Sequence, residues 1–347
     1  MNHNIDSYTI KHYAINENVS LSIAYEDIPY SLPGNGGLRL HYYGSQGDQG
    51  KEALTLAQHM TQKHRIYNTG FSGVKFVANG TVTADNKKAL LNKMGEILND
   101  FDGQLYTGCD LNIDNQDMEY LQTLTPYILN AMDAQHINTS TATAYGVYGS
   151  LQSVLDSENA DDQSQKILIN GLGKVGRIIA NKLIADGHAV YTYDIDAKKA
   201  DIPGAINISD TAHWEKTPCD YLVLCSTSNI IDHSNVNKLA CRWIVSSANS
   251  PFSSGAVMNQ LNQQGIRWIP DVISNAGAVI CDSIEHKEPE RYKKIKAQDM
   301  YQCVYDRVYK KTKQILDISN SYGLTSYDSL DVFLTLSQNE FMLPKAA

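Results

Sequence analysis

Short apolar runs recur along the chain between residues 167 and 285, with helical or loop segments between them. The runs cover residues 167–170, 189–193, 221–225, 243–247 and 266–269. Apolar strands that alternate with helices are typical of a doubly wound parallel sheet with helices on both faces. The pattern therefore predicts an α/β domain of this type over residues 141–285.

The segments on either side of this domain have different patterns. Strand-like pieces at residues 8–13 and 21–25 and a helical stretch at 51–64 predict a separate α/β domain over residues 1–140. From residue 286 to 347 the pattern is helical, since Met300, Val304 and Val308 recur at a spacing of four residues. We expect that helix to end near Tyr322 and Gly323, and a last helix to span about residues 329–339.

The composition is that of a globular protein of two ordinary domains. The chain has 347 residues, of which 42% are apolar and 19% charged, and it contains no run of about twenty apolar residues. Its first seven residues lack a basic patch followed by an apolar block, so we expect no secretory signal. These features favour a cytoplasmic protein that has no membrane partner.

Charge and cysteine usage narrow the function further. A net charge of −9 disfavours a nucleic-acid partner, because binding to nucleic acid depends on clustered Lys and Arg. The six cysteines form no close pairs of the metal-binding type, and several lie in apolar strand-like runs. We therefore expect reduced cysteines in the core, and neither disulfides nor a metal site.

A glycine-rich turn follows the first strand of the doubly wound domain. Gly171, Gly173 and Gly176 have the spacing that permits a tight turn, close approach of backbone to a pyrophosphate, and close packing of the next helix. The helix that follows would direct its N-terminal N–H groups at the pyrophosphate. The alternative is an ordinary glycine-rich turn. The strand and helix around the glycines favour a dinucleotide site formed by residues 171–176, which include Leu172, Lys174 and Val175.

The next strand ends at Asp194, where a carboxylate can accept hydrogen bonds from the adenosine ribose. A carboxylate at this position would repel a 2′-phosphate, which favours NAD over NADP. Lys198 and Lys199 lie close enough in the chain to leave that choice open. Three later strand ends carry small polar residues that suit a nicotinamide and its ribose: Cys225 with Ser226, Ala248 with Asn249, and Asn275 with its neighbours.

Two lysines and one aspartate are the candidates for chemistry in the first domain. Lys63 and Lys75 bracket a segment with two glycines, so Lys63 is expected near a helix end and Lys75 in a strand. Asp110 follows a short strand, in the kind of loop that often carries catalytic groups. Taken singly, each lysine is more often a surface charge.

The motifs occur in an order that resembles a known family. Seven segments occur in the same order as in the glutamate, leucine, phenylalanine and valine dehydrogenases. They are Met60 to Lys63, the twelve-residue step to Lys75, Tyr106 to Asp110, Thr143 to Tyr148, the glycine turn at 171, Ser247 to Asn249, and Pro270-Asp271 with Asn275 to Gly277. The resemblance covers roughly residues 20–290 and is closest to the leucine dehydrogenase type. It implies a substrate domain and a Rossmann domain that close around the substrate, C-terminal helices that return to the first domain, and homo-oligomers.

The resemblance also implies roles for individual residues. Lys63 would hold the substrate α-carboxylate, and Gly36, Gly37 and Arg39 would line the same site. Lys75 would activate water and stabilise the carbinolamine, and its lowered pKa would come from burial beside Lys63. Asp110 would shuttle protons to and from the amine. The remaining carried-over positions would orient the nicotinamide ring: Thr143, Asn249 and Asn275.

Two features depart from the family pattern. The glycine-rich stretch before the catalytic lysine is reduced to Phe71-Ser72-Gly73-Val74, which predicts an altered shape of the site. The positions of the apolar substrate pocket correspond to Asn35, Gly108, Val279 and Asp282. If Asp282 faces the substrate, it needs a cation or a hydrogen-bond donor opposite it, which favours a polar or basic side chain. If Asp282 is turned away, an apolar substrate remains open; a glutamate-type substrate is least expected.

The sequence therefore predicts an NAD-dependent L-amino-acid dehydrogenase, an oxidoreductase that converts an L-amino acid to its 2-oxo acid and ammonia. Two alternatives remain. A catalytically silent NAD-binding sensor would keep the fold without turnover. A hydroxy-acid dehydrogenase is disfavoured because no His-Asp pair lies at a comparable strand end.

Overall fold

The computed structural model describes residues 7–27, 32–129, 131, 134–159 and 164–342, with side chains up to residue 336. The chain divides into two compact units. The first contains Met1–His136 and Val279–Ile295, and the second contains Ile137–Ala278 and Lys296–Ala347. The predicted two-domain α/β architecture is confirmed.

The first unit is built on a six-stranded mixed sheet. Its strands are β1 (Tyr8–Asn16), β2 (Val19–Glu26), β3 (Gly34–Asn35), β4 (Leu38–His41), β5 (Ser72–Asn79) and β6 (Leu105–Tyr106), and its helices include α1 (Gln46–Tyr67), α2 (Ala84–Asp100) and α3 (Asn115–Gln122). The strand order is β1-β2-β5-β3-β6, and β4 also pairs with β5. β2 runs antiparallel to both β1 and β5. β3 and β4 are parallel to β5, and β6 is parallel to β3.

β5 is the centre of this sheet, and seven of its eight residues are buried. Phe76 and the inward residues of β2 and β4 form one core with α2, because buried apolar side chains from each element contact one another. On the other side, α1 lies very close to β5. A Cβ atom on Gly73 would be 2.3 Å from both the Ala57 carbonyl oxygen and the Thr61 nitrogen. Glycine at position 73 therefore permits this close packing of α1 on β5.

The second unit contains a fully parallel six-stranded sheet. Its strands are β7 (Lys166–Asn170), β8 (Ala189–Tyr193), β9 (Ile206–Asn207), β10 (Tyr221–Leu224), β11 (Trp243–Ser246) and β12 (Arg267–Trp268). The strand order is β12-β11-β10-β7-β8-β9. Strands β8 and β9 are added on one side of β7 and strands β10 to β12 on the other side, as in a doubly wound dinucleotide-binding sheet. β9 was not predicted, since it has only two residues and both are exposed.

Helices surround this second sheet. They are α4 (Thr139–Ser157), α5 (Lys174–Ala185), α6 (Ala197–Ala200), α7 (Gly255–Gln263), α8 (Asp271–Ser274), α11 (Ala297–Tyr322) and α12 (Ser326–Met342). Short 3-10 helices span Trp214–Lys216 and Val236–Lys238. Two further helices lie between α8 and α11 in the chain. The first, α9 (Gly277–Lys287), leads from the second unit into the first, and the second, α10 (Pro289–Tyr292), belongs to the first.

The C-terminal segment divides differently from the predicted boundaries. Residues 279–295 group with the first unit, and residues 296–347 group with the second. The reason is the packing of α11 on α4. A Cβ on Gly149 would lie 2.7 Å from the Tyr305 carbonyl oxygen, and Thr312 bonds to Ser150 within the contact. α11 ends at Tyr322, and Gly323 follows with φ 63°, as the sequence predicts.

No helix among the described residues is long and apolar enough to cross a membrane.

Candidate active site

Three charged side chains of the first unit form a compact cluster. The ammonium nitrogen of Lys75 lies 2.6 Å from Oδ2 of Asp110, and Nε of Arg39 lies 2.9 Å from the same oxygen. Arg39 also forms an ion pair with Glu52 at 2.7 Å. The side chain of Lys75 is 7% exposed, and those of Arg39 and Asp110 are 13% and 21% exposed. The cluster is therefore mostly desolvated, but Asp110 keeps an accessible edge.

Neighbouring strands deliver these residues to one place. Lys75 lies in β5, Arg39 lies in β4 beside it, and Asp110 follows β6. The Leu38 N–H donates to the Gly108 carbonyl at 2.9 Å, which holds the buried Gly108 and the loop before Asp110 against the start of β4. Parallel strands thus bring together residues that are distant in the chain.

Gly36 and Gly37 permit the close approach of backbone to this cluster. A Cβ on Gly36 would lie 1.7 Å from the Val74 carbonyl oxygen, a distance that no side chain can occupy. A Cβ on Gly37 would lie 3.0 Å from Cβ of Asp110 and 3.4 Å from Nζ of Lys75. The two glycines therefore allow the backbone to pack directly against β5 and beside the ammonium and carboxylate groups.

The environment of the cluster lowers the pKa of both Lys75 and Asp110. Burial lowers the pKa of Lys75, and the nearby Arg39 lowers it further, while Asp110 acts in the opposite direction. Burial alone would raise the pKa of Asp110, but Lys75 and Arg39 outweigh that effect and hold it well below its usual value. The predicted source of like-charge repulsion is corrected here: the cation that lowers the pKa of Lys75 is Arg39, not Lys63.

Lys63 lies just before the last turn of α1 and is buried, with 5% exposure. The next residue, His64, is also buried, and its Nε2 lies 3.1 Å from the Asn35 carbonyl oxygen. Its Nδ1 lies 2.8 Å from Oγ1 of Thr69. The first contact connects the end of α1 to β3, the strand that leads into Gly36 and Gly37, and the second connects it to the segment before β5. The sequence analysis missed His64 because no motif marks a residue whose role is to fix its neighbour.

Asp282 and Asn35 form a second polar contact in the first unit. Nδ2 of Asn35 donates to Oδ2 of Asp282 at 2.8 Å. Desolvation raises the pKa of Asp282 to about 8, the Asn35 hydrogen bond opposes this rise, and the charge of Glu285 adds to it. The residue keeps intermediate exposure, whereas Val279, on the preceding turn of α9, is 4% exposed. The donor required opposite Asp282 is therefore an amide.

An aromatic group that the sequence analysis also missed packs beside this contact. The ring of His286, on α9, lies 4.8 Å from that of Phe71 and 5.0 Å from that of Tyr106. The Ser283 hydroxyl donates to the Thr69 carbonyl at 2.7 Å. These contacts hold α9, and with it Asp282, against the segment before β5. Phe71 lies at the position of the glycine-rich stretch in the family pattern. The sequence therefore marked this segment only by its departure from that pattern, and no motif identified the aromatic cluster.

In the second unit the glycine turn has the geometry of a phosphate-binding loop. Gly171 has φ 97°, and a Cβ there would lie 2.6 Å from the Ser226 nitrogen. A Cβ on Gly176 would lie 2.0 Å from the Gly171 carbonyl oxygen. Gly173 is the N-cap of α5 and has no protein atom within 4 Å of its Cβ position. Lys174 and Val175, which begin α5, follow it. The loop is thus closed on its protein side and open at Gly173.

Asp194 directly follows β8 and holds this loop. Its Oδ2 accepts a hydrogen bond from the Leu172 N–H at 2.8 Å, and its Oδ1 accepts one from the Asp196 N–H at 2.9 Å. Asp194 therefore has a structural role in the glycine turn. A carboxylate with two oxygens can accept further hydrogen bonds, which leaves capacity for a ribose.

The other strand ends of the second unit also bring predicted residues together. The Ser226 hydroxyl donates to Oδ1 of Asn170 at 2.7 Å, and Nδ2 of Asn275 donates to Oδ1 of Asn249 at 3.0 Å. Burial raises the pKa of the Cys225 thiol to about 11, so that thiol is un-ionised at neutral pH.

Two further predicted positions of this unit are set by tight backbone packing. The Ala248 N–H bonds to Oγ of Ser246 at 2.9 Å. A Cβ on Gly277 would lie 2.5 Å from Cα of Thr143, so the start of α9 approaches α4 closely at that residue.

All six cysteines are free thiols. Within the part of the chain that the structure describes, no group of three or more His, Cys, Asp or Glu side chains is placed to hold a metal ion.

Comparison with known proteins agrees with this fold. The family model described as Glutamate/Leucine/Phenylalanine/Valine dehydrogenase matches residues 193–330. The leucine dehydrogenase of Thermoactinomyces intermedius is 26% identical over 306 residues, covering 86% of this chain and 82% of the relative. The phenylalanine dehydrogenase of Lysinibacillus sphaericus is 27% identical over 311 residues, covering 84% and 77%.

Among solved structures, the L-tryptophan dehydrogenase from Nostoc punctiforme superposes with a TM-score of 0.76 at 20% identity, covering 96% of this chain and 95% of that one. This likeness concerns the fold. The family model and the sequence relatives indicate the class, that of the amino acid dehydrogenases, which are oxidoreductases. The chain is thus similar to the glutamate/leucine/phenylalanine/valine dehydrogenases, which confirms the resemblance found in the sequence.

Proposed function

We propose that this protein is an NAD-dependent L-amino-acid dehydrogenase that catalyses the reversible oxidative deamination of an L-amino acid to its 2-oxo acid. The observation that carries the proposal is the mostly desolvated cluster of Lys75, Asp110 and Arg39, against which the Gly37 backbone packs closely. An ordinary surface ion pair is not desolvated in this way. Buried charged groups with shifted pKa values are typical of sites that perform acid–base chemistry.

The cluster suits proton transfer to and from an amine. Asp110 is ionised in the free enzyme and can accept a proton from the substrate α-ammonium group. Its protonation removes the charge that opposes deprotonation of Lys75, so Lys75 can release its own proton to solvent and then, as a neutral amine, take a proton from water. Lys63, buried in the same unit, supplies a positive charge for the substrate α-carboxylate.

The reaction balances with one hydride, one water and these protons. Asp110 takes a proton from the α-ammonium group, and the α-carbon loses a hydride to give an imine. Water adds to the imine carbon as Lys75 removes its proton, which forms a carbinolamine. Lys75 passes the proton from water to solvent, and Asp110 returns a proton to the nitrogen. The carbon–nitrogen bond then breaks as the carbinolamine hydroxyl gives its proton to Lys75, so that ammonia leaves and the 2-oxo acid forms. Lys75 releases this second proton to solvent as well.

The glycine turn fits a dinucleotide at the second unit. Gly173, Lys174 and Val175 would present backbone N–H groups to a pyrophosphate, since the N-cap of α5 carries no side chain to satisfy them. When bound, the nicotinamide cofactor would supply the hydride acceptor. Asn249 and Asn275, which already bond to each other, would offer amide groups to the nicotinamide end.

The proposal specifies NAD over NADP because of Asp194. Its carboxylate lies at the end of β8 and is held in place by two backbone N–H groups, so it cannot turn away from a 2′-phosphate without breaking the glycine turn. The Asp194 carboxylate and a 2′-phosphate bound beside it would both be negatively charged and would repel each other. We expect kcat/KM with NADH to exceed that with NADPH by at least about tenfold, a difference of about 1.4 kcal/mol.

The test is oxidation of NADH in the presence of ammonium and a panel of 2-oxo acids with aliphatic, aromatic, basic and acidic side chains. We expect turnover that depends on both ammonium and the 2-oxo acid, and its loss in Lys75→Ala. The exposed Lys88→Ala on α2 is the matched control and should retain activity. NADH binding without turnover on any acid would overturn the proposal in favour of a silent sensor. Turnover without ammonium would favour a hydroxy-acid dehydrogenase.

We also propose that the chain forms homo-oligomers. β1 is an edge strand of nine residues, and among the described strands it pairs only with β2. A long free edge offers backbone donors and acceptors to a second copy. Light scattering of the purified protein should give a mass that is a multiple of 38.5 kDa, and a single-chain mass would refute this.

A further inference from the structure

Asp282 is a partly exposed carboxylate with an unfinished set of partners. Asn35 donates to its Oδ2 at 2.8 Å. Oδ1 has no hydrogen bond among the described residues, and no described Lys, Arg or His forms an ion pair with the group. A carboxylate that leaves water normally gains several donors or a cation. One amide hydrogen bond is therefore too little for an ionised Asp282.

The charge nearest to Asp282 makes this deficit larger. Glu285, three residues later on α9, repels the Asp282 carboxylate and adds to the rise of its pKa. One oxygen of Glu285 accepts the Ala131 N–H at 3.0 Å, which fixes that side chain. Lys287, further along α9, donates to the Asn68 carbonyl at 3.3 Å. The protein thus places two carboxylates near each other and directs the local lysine elsewhere.

The Asn35–Asp282 contact lies within the length of an amino acid side chain from the catalytic cluster. Asn35 is in β3, and Gly37 is two residues further along the same extended segment. Two residues of extended chain span roughly 7 Å. The Cβ position of Gly37 is 3.4 Å from Nζ of Lys75. By this estimate, the separation between the cluster and Asp282 is comparable to the length of a long amino acid side chain.

We propose that Asp282, held by Asn35, binds the terminal cation of the substrate side chain, so that the substrate is an L-amino acid with a basic side chain such as lysine, ornithine or arginine. The inference rests on the proposed dehydrogenase function. An ammonium or guanidinium group would donate to Oδ1, and its charge would offset the repulsion between Asp282 and Glu285. A neutral donor would supply a hydrogen bond but would leave that repulsion in place.

The experiment compares two pairs of substrates that differ only in the terminal group. L-lysine and L-norleucine share a four-carbon stem, and L-ornithine and L-norvaline share a three-carbon stem. We expect the wild-type enzyme to oxidise the basic member of at least one pair with a kcat/KM roughly 10- to 100-fold higher, the range of a hydrogen bond to a charged group. The isosteric Asp282→Asn should lose that preference, mainly through KM, and retain the apolar member within about threefold.

The matched control is Glu290→Gln, which removes the same charge from an exposed residue of α10 and should leave the substrate ratios unchanged. Wild-type preference for norleucine, phenylalanine or glutamine over the basic amino acids would overturn the inference while the dehydrogenase function stands. Equal loss of both substrates in Asp282→Asn, with a lowered melting temperature, would also overturn it, because the residue would then be structural. Absence of turnover with every amino acid and NAD would instead overturn the proposed function.

Discussion

Lys75 and Asp110 are separated by 35 positions in the chain, yet the Lys75 ammonium group lies 2.6 Å from the Asp110 carboxylate. The contact forms because β5 and the segment after β6 both lie against the short strands β3 and β4. Lys75 helps to hold the pKa of Asp110 well below its usual value, and Asp110 in turn opposes the fall in the pKa of Lys75 that burial causes. The pair is thus at once a packing feature of the sheet and the centre of the proposed chemistry.

Replacing Lys75 with alanine should remove catalysis while the fold persists. Asp110 keeps the Arg39 guanidinium group, so the carboxylate is not left without a cation. We expect kcat to fall by about 10²- to 10⁴-fold, the usual contribution of a positioned acid or base. Steady-state kinetics measures kcat, and thermal unfolding should show a melting temperature close to that of the wild type. A loss of activity that matches the loss of folded protein would contradict this prediction.

Replacing Asp110 with asparagine should lower stability at neutral pH as well as activity. The pKa of Asp110 is lower in the folded protein than its usual value of about 3.9, so its ionised form stabilises the fold above that pH. This stabilisation is lost as the pH falls below about 4. We expect Asp110→Asn to lose roughly 2 kcal/mol at pH 7, less than for a fully buried pair since Asp110 is partly exposed. The difference from wild type should shrink at pH 3, as measured by urea unfolding at both pH values.

The local parts of this structure could be predicted from sequence, and the non-local parts could not. The glycine turn, the strand before it and the end of α11 at Tyr322 each depend on a few adjacent residues whose backbone preferences are strong. The contact of Arg39 with Asp110 depends on strand pairing across 71 positions. No local pattern encodes that pairing, which is why the repulsion on Lys75 was assigned to Lys63.

The domain boundaries illustrate the same limit. Apolar residues at a spacing of four predict α11 well, but they do not indicate which domain its apolar face contacts. Its partner is α4, which α11 approaches closely because Gly149 has no side chain. The contact between Asn35 and Asp282 joins residues 247 positions apart. The sequence showed that both positions are polar and that Asp282 needs a donor, but only the fold shows that Asn35 is that donor.

Gly173→Ala should weaken cofactor binding without affecting stability. Gly173 has φ −71°, which alanine adopts readily, and no protein atom lies within 4 Å of its Cβ position. If a pyrophosphate contacts this backbone, an added methyl group would displace it. We expect the Kd for NADH to rise by roughly 10- to 100-fold, or about 1.4 to 2.8 kcal/mol, with an unchanged melting temperature of the free protein. Fluorescence titration with NADH measures the affinity.

Gly255→Ala is the control for that variant. Gly255 also begins a helix, α7, with no atom within 4 Å of its Cβ position, and it is not part of the glycine turn. NADH affinity should remain unchanged in this variant. Unchanged affinity in Gly173→Ala as well would show that the turn does not hold the pyrophosphate.

His64 should make the fold less stable in mild acid. Burial lowers the pKa of His64 to about 4 from an ordinary value near 6.5, because no water can solvate its charged form. The folded state therefore binds fewer protons than the unfolded state between these values, and stability rises with pH across that window. The stabilisation is complete above about pH 6.5 and is lost as the pH falls towards 4. Between pH 7 and pH 5 the free energy of unfolding should drop by about 2 kcal/mol on account of His64 alone, at 1.36 kcal/mol per pH unit.

In His64→Gln this drop should shrink by that amount, whereas His233→Gln, at an exposed position, should retain it. An identical pH dependence in wild type and His64→Gln would mean that His64 is protonated in the folded protein, and that its contacts with Asn35 and Thr69 do not require the neutral ring.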